Sequence, residues 1–219
     1  MQKRIIMKKK IFHTKTGMYV DWQQISQLPN INNFIDIGIG DGTPYLWKKF
    51  KEKRIICIDP LEHSEKIVMK ALQGKNYSFH KFAVGAKKSK KILNIEKNIG
   101  RSTLLKVTKK NFEGKPVCRL KVNVKTLDSI IHETKTKGSY GIKIDVEGYE
   151  LEVLKGASQT LLKTKFVIIE ARHNHITFNR QYKLHDLMNL MTSNNFTLTH
   201  IFTAKPFIAD LCFQPIKLI

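Results

Sequence analysis

The stretch "KIDVEGYELEVLKGA", residues 143–157, ends an apolar run with two carboxylates, Asp145 and Glu147. Two apart on an extended chain, they share one face, with Lys143 one step deeper on the same side. Carboxylates so placed can take a proton from a hydroxyl or supply hard oxygen ligands to Mg²⁺. Glu147, together with Glu150, can equally complement the positive start of the helix that follows. Asp145 lies before the turn, where an unpartnered buried carboxylate is costly, so it needs a hydrogen-bonded, cationic or metal partner. A further acid, Glu170, ends the run "KFVIIEAR", and "HNH" follows at 173–175. The candidates for chemistry are therefore Asp145, Glu147, Glu170 and His173. Asp145 with Glu170, joined by His173 or Asn174, could bind Mg²⁺. A metal-free site with Glu147 or His173 as base is the alternative preferred here.

A second group of residues points to a ligand. "DIGIGDGT" at 36–43 places Gly38, Gly40 and Gly42 between a strand and a helix. It fits neither the phosphate loop, which needs Gly-Lys-Ser/Thr, nor the dinucleotide pattern, which needs glycine where Thr43 stands. Asp36 and Asp41 would repel a pyrophosphate. They favour a cationic ligand without phosphate, and S-adenosylmethionine has that chemistry in its amino group and sulfonium. Asp59 ends the next strand, "RIICIDP", at the separation expected of a ribose-binding acid, and a carboxylate accepts two hydroxyl donors well. The cofactor candidates are Asp36, Gly38, Gly40, Asp41, Asp59 and Ala83, the last near the end of "YSFHKFAVG".

Elements must carry these residues to one place. Buried strands are expected at 33–40, 54–60, 77–85, across "YGIKIDVEG" and at 165–172. Helices are expected at 44–52, 62–74, 127–135, along "YELEVLKGASQTLLK" and within 181–194. "KKILNIEK" and "CRLKVNVKT" alternate as exposed antiparallel strands do, and "GRSTLL" between them holds Arg101, Ser102 and Thr103, which a covering loop would bring to the site. "FTLTHIFT" and "DLCFQPIKL" close the chain as an antiparallel pair. Repeated strand–helix units predict an α/β fold with a mostly parallel sheet covered on both faces. In such sheets ligands bind beyond the carboxyl ends of the strands, where four acidic strand ends would converge.

The chain has 219 residues, enough for one sizeable core, and we expect a basic arm over 1–30 and one domain over 31–219. Three cysteines at wide spacing give neither a disulfide framework nor a zinc pattern, and suit a reducing, cytoplasmic setting. No apolar run is long enough to span a bilayer, and the N-terminal stretch lacks the apolar core of a secretory signal. A net charge of +21 would attract nucleic acid, an anionic membrane surface or an acidic glycan; a Lys-rich, solubilising composition explains it equally well.

The motifs together resemble a known family. "FIDIGIGDGT" is similar to the first motif of class I methyltransferases. "VKVNVKTLDSI", "IKIDVEGYELEVLKGA" and "FVIIEAR" resemble the FkbM family, over about 33–172. The resemblance implies a Rossmann-like, seven-stranded sheet binding S-adenosylmethionine, and O-methylation of a hydroxyl, often on a saccharide in a glycan, glycolipid or glycosylated metabolite. Family members commonly carry Glu-Pro where this chain has Asp59-Pro60; the carboxylate, and with it the role, is kept. Methylation of RNA is the competing reading from the basic charge. No RNA-binding module or stacking motif accompanies it.

Overall fold

The structure is a computed structural model that describes residues 19–20, 22–107, 116–173 and 178–216. In chain order the strands are β1 (Tyr19–Val20), β2 (Asn33–Ile37), β3 (Arg54–Ile58), β4 (Tyr77–His80), β5 (Ala83–Val84), β6 (Ser89–Ile95), β7 (Lys106–Val107), β8 (Cys118–Lys125), β9 (Tyr140–Ile144), β10 (Thr164–Arg172), β11 (Phe178–Asn179), β12 (Phe196–Ala204) and β13 (Ile208–Pro215). The helices are α1 (Pro44–Lys49), α2 (Glu62–Ala71), α3 (Leu127–Glu133), α4 (Glu150–Lys155), α5 (Ser158–Leu161) and α6 (Leu184–Ser193).

The main sheet runs β1-β12-β13-β10-β9-β2-β3-β4. The five strands from β10 to β4 are mutually parallel, and β13, β12 and β1 follow antiparallel. The expected seven strands are present, and the two-residue β1 adds an edge. The parallel strands read as continuous apolar runs because both faces are covered. On one face Ile35, Ile37, Ile56, Ile58, Ile142 and Ile144 pack with α3, α4 and α6. On the other, Phe34, Ile55, Cys57, Phe166 and Ile168 pack with α1 and α2. The 3-10 turn Trp22–Gln27 sits within the expected arm, yet Ile25 and Leu28 are buried in this second layer. Apolar side chains at that spacing draw the segment onto the sheet.

The expected strand 77–85 divides. β4 stays in the main sheet, but the Phe82 amide donates to the His80 carbonyl at 2.9 Å, a tight turn that takes the chain out of the sheet. β5 then joins a separate sheet, β5-β8-β6, in which β6 and β8 are antiparallel as the alternation predicted. The helix expected from Tyr149 onward also divides, into α4 and α5. At Gly156 the backbone passes so close to Gly85 that an added Cβ would lie 2.2 Å from its carbonyl oxygen. No helix among the described residues is long and apolar enough to cross a membrane.

Candidate active site

Three strand ends are locked together by the glycine loop. The Asp145 amide donates to the Ile37 carbonyl at 2.9 Å, and the Gly38 amide to the Ile58 carbonyl at 3.0 Å. Gly38 has φ +79°, and a Cβ there would lie 1.7 Å from the Asp145 carbonyl oxygen. Only glycine allows that crossing. Asp59 fixes the loop from the next strand: its two oxygens accept from the Ile39 amide at 2.9 Å and the Leu61 amide at 2.8 Å. Burial raises its pKa, and these bonds counter the rise.

Beside the loop lies a cleft of about 860 Å³, counting its open mouth. Gly38, Gly40, Asp41, Asp59 and Ala83, all expected at the cofactor, line it; Leu93, Ile99, Ser102 and Leu104 from the β6–β8 excursion roof it. Asp41 is exposed, 3.4 Å from His63 Nε2. Asp36 is not on the cleft wall. It lies beneath α1, accepting from the Thr43 hydroxyl and, at 2.7 Å, from Trp47 Nε1, so that it braces the start of that helix. Its other oxygen has no partner, and burial pushes its pKa up to about 6. The backbone turn, the acids and the apolar floor fit a cationic nucleoside.

The acids expected to do chemistry do converge. One oxygen each of Asp145, Glu147 and Glu170 lies within 4.8 Å of the other two. Asp145 lines both the cleft and an adjoining pocket shared with Thr43, Tyr45, Lys143, Glu170 and Asp210. Lys143 is its partner. The ammonium stands 3.1 Å from Asp145 Oδ2 and 3.6 Å from Asp210 Oδ1. Burial alone would lower the Lys143 pKa, but Asp145, Asp210, Glu170 and Asp36 outweigh it and hold the group charged.

Glu147 is buried against Arg172, whose guanidinium sits 4.9 Å above the Phe178 ring. It has φ +53°, uncommon for a residue with a side chain. Thr103 secures this bend by donating to the Glu147 carbonyl at 2.7 Å. The helix-start role belongs to Glu150 instead, which accepts from the Val146 amide at 3.2 Å and the Gly148 amide at 3.0 Å. Burial, and then the charge of Asp145, raises the Glu170 pKa to about 9. A divalent ion could reach all three carboxylates. Lys143 and Arg172 already stand against Asp145 and Glu147, and Glu170 keeps its proton.

His173 does not join them. It is exposed, with Nε2 3.1 Å from the Lys205 carbonyl. Asn174 and His175 lie outside the described residues. Ser102 lines the cleft, while exposed Arg101 acts at a distance on the charge of Glu147. Asp210 was not anticipated. The one signal for it is an acid interrupting the apolar run "FIADLCF".

Residues 26–198 match the family described as the Methyltransferase FkbM domain. A methyltransferase FkbM from Methylobacillus flagellatus KT has a similar fold, with TM-score 0.55 and 21% identity over 83% of this chain. The match spans 43% of that protein's chain, so the present chain corresponds to less than half of it. Magnesium protoporphyrin IX methyltransferase (ChlM) from Synechocystis PCC 6803, solved with bound SAH, aligns with TM-score 0.48 and 12% identity over 89% of this chain and 79% of that one. No curated protein matches the sequence.

Proposed function

The chain belongs to the FkbM methyltransferase family, and we propose that it moves a methyl group from S-adenosylmethionine to a hydroxyl of a saccharide in a glycan, glycolipid or glycosylated metabolite. The observation that carries this reading is the position of Asp145 on the walls of two adjoining cavities. One is the glycine-loop cleft, whose Asp59 and Asp41 suit a cationic nucleoside. The other, walled in part by Lys143, Glu170 and Asp210, has room for a hydroxyl-bearing group. The bound donor supplies a methyl carbon already activated by a sulfonium.

The residues then have separable tasks. The glycine loop and Asp59 hold the donor. Glu170, protonated at neutral pH, donates a hydrogen bond to an acceptor oxygen, and Glu147, fixed by Arg172, accepts one from a neighbouring hydroxyl. Asp145, steadied by Lys143, takes the proton as the hydroxyl oxygen attacks the methyl carbon. The products are an ether, S-adenosylhomocysteine and one proton. Such alignment lowers a bimolecular barrier by several kcal/mol, and a positioned base contributes roughly 10²–10⁴-fold.

A screen of acceptors with isotope-labelled methyl donor tests the proposal. Label is expected in saccharides, undiminished by EDTA. Transfer to RNA but not to any glycan would overturn the substrate class, and loss with EDTA that Mg²⁺ restores would overturn the metal-free site.

A further inference from the structure

The stretch 83–126 holds thirteen of the chain's 39 Lys and Arg but two of its 18 Asp and Glu. It is also the stretch that leaves the main sheet and roofs the cleft. The register of β6 and β8 divides it into two faces. Leu93, Val122 and Val124 turn inward and are buried. Lys90 pairs with Asn123, Ile92 with Lys121 and Asn94 with Arg119 on the outer face. There Lys90, Arg119 and Lys121 are exposed around an exposed Ile92, and none of the three cations makes an ion pair among the described residues. The one described acid of the stretch, Glu96, is buried. Val117, just before β8, is exposed as well; Leu120 is exposed too, but it pairs with Leu93 and so shares the inward face.

We propose that this outer face docks on an anionic lipid bilayer. Three cations with no ion pair among the described residues, on one face of a two-stranded segment, match a plane of negative headgroups, and each Lys or Arg near such a surface contributes about a factor of five in binding. On that face Ile92, with Val117 beside it, reaches the depth at which an apolar group gains from the headgroup boundary. A nucleic acid is matched less well: β6 and β8 carry no aromatic ring on which a base would stack. Docked in this way, the inward face still roofs the cleft, so the active site opens beside the lipid surface. This inference holds whatever the acceptor is.

Co-sedimentation with vesicles tests it. The full chain is expected to pellet with phosphatidylcholine vesicles containing about one third phosphatidylglycerol at low ionic strength, and not with phosphatidylcholine alone. Neutralising Lys90, Arg119 and Lys121 together to Gln should weaken that partition roughly 100-fold, and Lys121→Gln alone about five-fold. Thermal unfolding and S-adenosylmethionine binding should not change. The control neutralises Lys135, Lys137 and Lys163, exposed at the opposite end of the sheet, and removes the same charge. An equal loss in the control would overturn the proposal in favour of diffuse net charge. Failure of the wild type to pellet with anionic vesicles, with tight binding to single-stranded RNA instead, would overturn it in favour of a nucleic-acid face.

Discussion

Asp145 has two neighbours that decide its part. Lys143 stands 3.1 Å from it, and Asp210, 3.6 Å from the same ammonium, would still partner Lys143 in an Asp145 variant. Asp145→Asn is therefore expected to fold and to bind S-adenosylmethionine normally by calorimetry, with turnover reduced about 10²–10⁴-fold in a single-turnover assay. Unchanged turnover per folded molecule would make the residue structural. Glu170 yields a pH prediction. Between the ordinary value of 4.5 and about 9 the folded protein keeps a proton that the unfolded chain has released. Stability contributed by that proton is complete below the unfolded value and is lost as pH rises through the folded one. The melting temperature should thus decline from about pH 5 to pH 9, and Glu170→Gln should flatten the decline.

At the level of elements, the crossing of Gly38 over Asp145 makes β2 and β9 one unit. Gly38→Ala places a methyl where a carbonyl already stands, so expression in soluble form and donor binding should both be lost. Gly74→Ala has a similarly positive φ but nothing within 4 Å, and should cost only about 1–2 kcal/mol in denaturant unfolding. The same elements show what the sequence can and cannot reveal. The parallel strands were legible because burial on both faces leaves uninterrupted apolar runs, and the acidic ends of those runs marked the crevice. The break after His80 was not legible, because the apolar pattern continues while the chain changes sheets. The place of Asp36 in the loop predicts that it faces the ligand, yet it shares strand parity with Phe34, which turns it under α1. Asp210 reaches Lys143 through pairing with Glu170 across β13 and β10, a register that no local pattern encodes.

Across the whole molecule, two sheets of different construction meet at the cleft: the mostly parallel main sheet with its acids, and the small β5-β8-β6 sheet with its cations. A saturating donor, at about 100 times its Kd, should add roughly 2.7 kcal/mol of stability. Hydrogen exchange should show that protection extends to amides 93–104 of the roof; protection confined to 36–61 would detach the roof from the donor site. The weld at Gly38 has one more consequence. In the proposed mechanism, donor seat and proton acceptor therefore cannot drift apart without breaking the fold. The distance between methyl carbon and base would be set as the chain folds, before either substrate arrives.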